Sequence, residues 1–474
     1  MKTSLVALVT ALCLTPAALA APAVAADKSG DGWPAFRALY EELVETNTQH
    51  SDGSCTLAAE RMATRLKAAG YSDADLHLYA PADAPKDGLL VATLHGTDKT
   101  AKGILLLAHI DVVEARRSDW VRDPYTLIEE DGYFYGRGTT DDKAQAAIFV
   151  DTLIRYKQEG YTPRKSIKVA LTCGEETEGV FNGARYLANE RKDWIDADFA
   201  INEGASGELD ASGKRVAMNI EAAQKVYQDF TLTATNSGGH SSRPRPDNAI
   251  YAMADALKKV QAYRFPVMLN DANRAYFTRT AKLKGGEIGA AMSAIVANPE
   301  DAAAEATLSN EPNLNATLRT TCVATLIDGG HAHNALPQSV TANVNCRIFP
   351  GVPVETVQAG LIAAINDPTV KVETDGHRSP ATPTPKMPPE ILGPIEKVSA
   401  DIYPGVPVIP VMTLGATDSI HTSAAGIPSY GFRGMFVDPD GGNAHGLNER
   451  IQVQSVVDGR RLFYKLIKIY AGGK

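Results

Sequence analysis

The chain has 474 residues, enough for two or three domains that each bury a core. With 44% hydrophobic and 22% charged residues and no long low-complexity tract, it has the composition of a globular protein. A formal net charge of −9 and the lack of any Lys/Arg block argue against a nucleic-acid-binding surface, and past the N-terminus no apolar run is long enough for a membrane helix.

The N-terminus reads as a secretory signal. Met1-Lys2 precedes an apolar run from Leu5 to Leu14, and small residues follow at Ala18-Leu19-Ala20 and Ala23-Val24-Ala25. Cleavage after Ala20, Ala25 or Ala26 fits this order, and Cys13 lacks the preceding small residue of a lipid-attached cysteine. An exported protein, periplasmic or secreted and with no membrane partner after cleavage, is expected. Helices are expected at Trp33 to Thr46 and Leu57 to Ala69. The next elements are apolar strands at Gly88 to Leu94 and Gly103 to His109, a helix at Gln145 to Gln158, a strand at Ile167 to Thr172, a helix from Val180 to Glu190 and a strand at Phe199 to Asn202. Continuous apolar strands separated by helices indicate an α/β sheet buried on both faces.

The pattern changes near Glu221. Val226 to Thr235 alternates like a half-exposed strand, and a helix at Asn248 to Tyr263 and an Ala-rich helical stretch from Gly285 to Ala306 follow. Arg319 to Ile327 and Val340 to Ile348 are strand runs. If they pair with Asp328 opposite Val340, Cys322 falls opposite Cys346, so that either a disulfide or two small buried side chains would result. A helix at Val354 to Ile365 and a strand at Val370 to Glu373 complete a two-layer α+β unit. Pro380 to Pro389 reads as a connector, after which α/β patterning resumes with a helix at Pro389 to Ile402, a strand at Val408 to Thr413 and a helix at Val453 to Tyr470. The expected division is a signal over 1–26, a first catalytic part over 27–221, an inserted unit over 222–377 and a second catalytic part over 378–474. Four cysteines in so long a mature chain do not read as a disulfide scaffold, and Cys173 reads as a strand residue.

Three apolar runs end in the same kind of chemistry: His109-Ile110-Asp111, Cys173-Gly174-Glu175-Glu176 and Asn202-Glu203-Gly204. In open α/β sheets, sites gather beyond the carboxyl ends of strands, and such groups are rarely buried without a metal or a partner. Gly136-Arg137-Gly138-Thr139-Thr140-Asp141-Asp142-Lys143 brings two acids to a helix start, and Gly442-Asn443-Ala444-His445-Gly446 brings a histidine in a flexible loop. Each piece has an ordinary explanation: a satisfied polar pair, a solvated acidic edge, a helix cap, a surface histidine. The ordered set is far more specific.

That set resembles the co-catalytic dizinc peptidase and aminoacylase family, which includes bacterial glutamate carboxypeptidase, succinyl-diaminopimelate desuccinylase, aminoacylase and vacuolar carboxypeptidase S. The likeness is greatest to the carboxypeptidase S and N-acyl amino acid hydrolase branch. Gly238-Gly239-His240-Ser241-Ser242, His333-Asn334-Ala335-Leu336-Pro337, Arg347-Ile348-Phe349-Pro350-Gly351, Gly415-Ala416-Thr417-Asp418-Ser419 and His445-Gly446-Leu447-Asn448-Glu449 match as well. The resemblance implies an α/β catalytic domain with a mostly parallel central sheet, interrupted by an α+β lid of the dimerisation type. It implies two zinc ions, with cobalt or manganese as alternatives. His109 would ligate one zinc with Asp111 orienting it, Asp141 would bridge both with Asp142 a mere neighbour, Glu203 would complete the first site, and Glu176 and His445 would hold the second. Glu175 would be the general base and His240 the oxyanion partner, which in dimeric relatives arrives from the neighbouring subunit. Arg347 and Asn334 would bind the substrate's free carboxylate, with Gly415 and Thr417 completing that pocket. Asn202 departs from the Asp-Glu-Gly common in the related branch and leaves Glu203 as the carboxylate there. The expected reaction is hydrolysis of an amide bond in a small peptide or N-acyl amino acid, by a water that Glu175 deprotonates near a metal pair roughly 3.5 Å apart. No Gly-x-Ser-x-Gly or His-Glu-x-x-His motif supports another hydrolase class. The competing reading is a catalytically inactive, metal-stabilised peptide-binding protein.

Overall fold

The computed structural model describes residues 32–177, 179–374, 383 and 386–474. The expected signal and half of the proline-rich connector lie outside these residues. The large sheet has eight strands in the order Leu76–Tyr79, Leu89–Leu94, Ile167–Thr172, Gly103–His109, Ala197–Leu209, Ser429–Val437, Arg215–Gln224 and Val408–Thr413. Gly103–His109 lies parallel to both neighbours, as do Ala197–Leu209 with Ser429–Val437 and Arg215–Gln224 with Val408–Thr413. The first two strands and the contacts of Arg215–Gln224 with Ala197–Leu209 and Ser429–Val437 are antiparallel, so the sheet is mixed around a parallel centre.

Strand periodicity explains the two covered faces. Ile104, Leu106 and Ala108 point into a core shared with helices Trp33–Glu45, Cys55–Ala68, Lys143–Gln158 and Val453–Ala471. Leu105 and Leu107 point the other way, towards Ala184 and Leu187 of helix Gly183–Glu190. A run apolar at every position is what burial on both sides requires.

The inserted unit has its own antiparallel sheet, ordered Thr321–Gly329, Ser339–Ile348, Val226–Thr235 and Val370–Thr374. Phe230, Leu232 and Ala234 face helices Ala249–Ala262 and Val354–Ile365, while the residues between them are partly exposed. The Ala-rich stretch expected as helical from Gly285 to Ala306 belongs to a set of four short helices, Asp271–Lys284, Gly286–Ala297, Ala302–Ser309 and Pro312–Leu318, around Phe277, Met292, Ile295 and Leu308. The first of them lies against the edge strand Val408–Thr413, where Arg279 Nη1 donates to the Val408 carbonyl at 2.7 Å. A helix laid over a sheet edge shields its unpaired backbone groups.

Both cysteine pairs form disulfides. Cys322 sits opposite Cys346 and is bonded to it. At the far end of the hairpin Gly329, rather than Asp328, faces Val340, and a bulge between Ala324 and Leu326 restores the cysteine register. Cys55 and Cys173 are joined across a sequence separation of 118, which corrects the reading of Cys173 as a plain strand residue. The N-cap turn of the second helix is thus stapled to the strand end just before Glu175.

The chain passes from the large sheet to the small one between Gln224 and Val226, a little beyond the pattern change at Glu221. Lys225 at this junction is fully buried, and its ammonium donates to the Arg319 carbonyl at 2.7 Å. Burial, reinforced by Arg347 and Arg319, pulls its pKa down to about 7. The unfolded chain keeps that proton to about pH 10.4, so between these values the unfolded state binds more protons and stability rises with pH, by at most about 1.4 kcal/mol per unit. Lys225→Met should flatten the stability profile between about pH 7 and 10, as read from urea melts across that range. A slope equal to that of the wild type would contradict the assignment.

Candidate active site

Five segments meet at one end of the parallel strands. His109 closes its strand, Glu175 and Glu176 follow Ile167–Thr172, and Glu203 lies within Ala197–Leu209. Asp141 precedes helix Lys143–Gln158, and His445 stands in a loop where its φ of 61° turns the backbone left-handed. His109 Nε2 lies 3.2 Å from Asp141 Oδ1 and 3.6 Å from Glu203 Oε2. His445 Nε2 lies 3.0 Å from Glu176 Oε2 and 3.4 Å from Asp141 Oδ2. Asp141 therefore turns one oxygen to each imidazole. The acceptor atoms of His109, Asp141 and Glu176, and those of His109, Glu175 and Glu203, lie within 4.8 Å of one another.

Hydrogen bonding sets the state of His109. Its Nδ1 is 3.0 Å from the backbone carbonyl of Asp111, which can only accept, so Nδ1 carries a hydrogen and Nε2 is the nitrogen turned towards the carboxylates. The carboxylate of Asp111 is farther from that ring, at 3.7 Å, and its other oxygen accepts the Glu176 amide at 3.0 Å. Thus the Asp111 carbonyl orients the imidazole, and its side chain positions the Glu175-Glu176 turn. Imidazole nitrogen beside carboxylate oxygen in a buried site is a donor set that suits zinc and its neighbours. The residues present thus fit a metal centre.

The carboxylates perturb one another. Burial and then Glu203 hold the Glu175 carboxyl well above the usual range. Burial opposes a charge on His109, yet Glu203, Asp111 and Asp141 keep its pKa above the ordinary value. Hydrogen bonds to Asp141 and Glu176 push His445 up to about 10. Asp418 rises to about 6 through burial, while Asn182 and Thr172 donate to its two oxygens at 2.8 and 3.1 Å.

A cleft of about 790 Å³ opens in front of Glu175 and Glu176. Gly415, Ala416, Thr417, Asp418 and His421 line one side, and Tyr227, Asp229 and Arg347 of the inserted unit line another. The Arg347 guanidinium lies over the Tyr227 ring at 4.7 Å. His240 and Asn334 are brought together on a two-stranded ribbon, where the Ser241 amide donates to the Asn334 carbonyl at 2.9 Å, but neither is among the residues that line the cleft. Asn202 donates to Ser419 Oγ at 3.0 Å and to Thr417 Oγ1 at 3.3 Å, tethering the loop that holds Asp418.

Two buried residues given no role in the sequence reading control the centre. Arg433 donates to Asp141 Oδ1 at 2.8 Å, to Glu203 Oε2 at 2.9 Å and to the Thr140 carbonyl at 2.8 Å. Glu449 accepts from the amides of Gly138, Thr140 and Asp141 at 2.9, 2.7 and 3.0 Å and from Arg137 at 2.8 Å. Arg137 in turn donates to the Gly446 carbonyl at 2.9 Å, joining the Asp141 loop to the His445 loop. Glu449 had a sequence signal in its place after the His-Gly pair, whereas an arginine inside an apolar strand had none.

A deep cleft, convergent imidazoles and carboxylates, and an α/β sheet carrying a second, lid-like layer define a hydrolase of the metallopeptidase and aminoacylase type. The family model for peptidase family M20/M25/M40 matches residues 105–469, and the chain belongs to that family. It is 28% identical over 384 residues to an N-fatty-acyl-amino acid synthase/hydrolase of Danio rerio, covering 79% of this chain and 74% of the relative. Human aminoacylase-1 is 24% identical over 393 residues, covering 82% and 85%. The structure of an M20 family metallo-carboxypeptidase from Sulfolobus solfataricus superposes with a TM-score of 0.66 at 16% identity, covering 92% of this chain and 99% of that one. The resemblance read from the motifs is borne out.

Glu449→Ala removes the partner of the buried Arg137 and strips an acceptor from three amides. Leaving such a charge unpaired should cost about 3–5 kcal/mol, measurable by urea unfolding. A loss below about 1 kcal/mol would mean that Glu449 does not hold the loop.

Proposed function

We propose that the chain hydrolyses the amide bond of a small peptide or N-acyl amino acid bearing a free carboxylate, using two zinc ions. His109, Asp141 and Glu203 would hold one ion, and Asp141, Glu176 and His445 the other. The observation that carries this reading is Asp141 placed between two imidazoles, one oxygen to each. Cobalt or manganese would suit the same donors. When bound, the metal pair polarises the scissile carbonyl and acidifies water. Glu175, its carboxyl raised by burial and Glu203, takes the water's proton and passes it to the leaving amine. Asp111 keeps the Glu175-Glu176 turn in place through the Glu176 amide. Arg347, steadied on Tyr227, offers a planar fork to the substrate carboxylate, and Gly415 and Thr417 frame the same pocket.

His240 and Asn334 stand outside their own chain's cleft, which favours delivery of His240, as oxyanion partner, to the cleft of a second copy. The edge strand Thr321–Gly329 supports a homodimer through the inserted unit: Val323, Leu326 and Ile327 are 61, 71 and 63% exposed on it. Export is supported by the charged, apolar and small-residue order of the N-terminus and by two disulfides, which persist in oxidising compartments. Among the described residues no helix is long and apolar enough to cross a membrane.

Glu175→Gln should lower kcat on a mixed dipeptide and N-acyl amino acid panel by about 100-fold or more, with zinc content unchanged. Wild-type protein that binds zinc but turns over nothing on that panel would favour a binding protein instead. Light scattering should give a dimer mass for wild type and a monomer mass for Val323→Lys combined with Ile327→Lys, and a monomeric wild type would remove the shared-site reading.

A further inference from the structure

The two halves of the centre are not electrostatically alike. On the His109 side, the two oxygens that face the imidazole also bind a protein cation, because Arg433 Nη2 lies 2.8 Å from Asp141 Oδ1 and 2.9 Å from Glu203 Oε2. Nη1 is anchored on the Thr140 carbonyl at 2.8 Å, and the whole side chain is buried on the strand Ser429–Val437, so the guanidinium has no room to swing away. An arginine carries its charge at every accessible pH. On the other side, Glu176 Oε2 and Asp141 Oδ2 both pair with His445, whose side chain is 57% exposed. Among the described residues no Lys or Arg forms an ion pair with Glu176.

A carboxylate oxygen has two lone pairs, so it can accept from Arg433 and still ligate a metal. Arg433 therefore does not block the His109 side. It does neutralise part of the negative charge that would draw a dication there, and it stands one hydrogen bond behind both carboxylates. Unlike charges a few ångströms apart in a buried site interact strongly, and like charges repel to the same degree. Asp142, next in the chain, is buried with both carboxylate oxygens unpartnered.

We propose that Arg433 is a positioning residue that makes the metal centre load in order: it fixes Asp141 and Glu203 while weakening the His109 side for a second dication, so that the His445 side fills first and holds more tightly. The inference rests on the two-metal reading given above. It assigns to the His109 side the exchangeable ion and to Arg433 control over how much free metal the enzyme needs.

Metal-stripped full-length protein would be titrated with Zn²⁺ by equilibrium dialysis and calorimetry. Wild type should show two classes of site separated by at least about tenfold in affinity. His445→Ala should abolish the tight class and His109→Ala the weak one. Arg433→Met should strengthen the weak class by about tenfold, narrowing the gap, whereas Arg433→Lys, which keeps the charge but fewer donors, should preserve it. Two indistinguishable wild-type classes, or loss of the tight class in His109→Ala, would overturn the proposal without any use of the Arg433 variants, so a misfolded Arg433→Met leaves it testable. A weak class that becomes weaker in a folded Arg433→Met would overturn it too. Failure of wild type to bind any zinc would instead sink the two-metal reading, and this inference with it.

Discussion

Carboxylates brought together out of water repel one another, and that repulsion is the constraint around which this structure is arranged. Asp111, Asp141, Glu175, Glu176, Glu203 and Asp418 crowd the end of one sheet, most of them shielded from solvent. Such a cluster persists only if positive charge or donated hydrogen bonds compensate each member. The structure supplies both in graded fashion. Asp418 receives two neutral donors, Asp111 receives an amide, and Asp141 and Glu203 share a guanidinium. Among the described residues Glu175 accepts no hydrogen bond, and burial and then Glu203 push its carboxyl towards the protonated state. That inequality accords with the general-base role proposed for Glu175.

The compensation works only if loops far apart in sequence are held to each other within tenths of an ångström. Glu449 threads three amides of the Asp141 loop and pins Arg137, whose guanidinium reaches the His445 loop. The Cys55–Cys173 bond does a similar job on the opposite side, stapling the start of the Glu175 turn to an N-terminal helix. Asn202, which stands where an acid is common in the related branch, ties the Thr417 and Ser419 hydroxyls instead. An acid at this position would accept from hydroxyls but could not donate to them. The site thus rests on a frame of hydrogen bonds and one covalent link, not on the strand ends alone.

Much of this was legible in the sequence because it obeys periodic rules. Strands apolar at every position predicted a doubly covered sheet, and both Ile167–Thr172 and Val226–Thr235 fall on the expected residues. The convergence of His109, Asp141, Glu176, Glu203 and His445 followed from polar groups at apolar strand ends and from the family resemblance. What escaped had no local signature. The helices of Asp271–Leu318 have little amphipathic pattern and draw their stability from packing on one another and on the edge strand Val408–Thr413. Arg433 sits in a run of apolar residues, where its partners, more than 200 positions away, give no sequence clue. Cys55 and Cys173 are likewise paired only by the fold. The Asp111 side chain, expected beside the imidazole, stands 3.7 Å from it, and the Asp111 carbonyl is closer at 3.0 Å.

The division of labour between the two layers has a further consequence. The proposed chemistry comes from the large sheet, whereas Tyr227, Asp229 and Arg347, which face the cleft, come from the small one. Selectivity can therefore change without disturbing the reacting groups, provided the layers keep their relation. They are tied at separate points: Lys225 is buried at the crossing strand and bonded to Arg319, and Arg279 reaches from the helical insertion to Glu396 and to the Val408 carbonyl. A layer held at both places cannot swing as freely as one joined by linkers alone. The cleft between Glu175 of the large sheet and Arg347 of the small one is therefore braced by side-chain contacts as well as by the chain crossings.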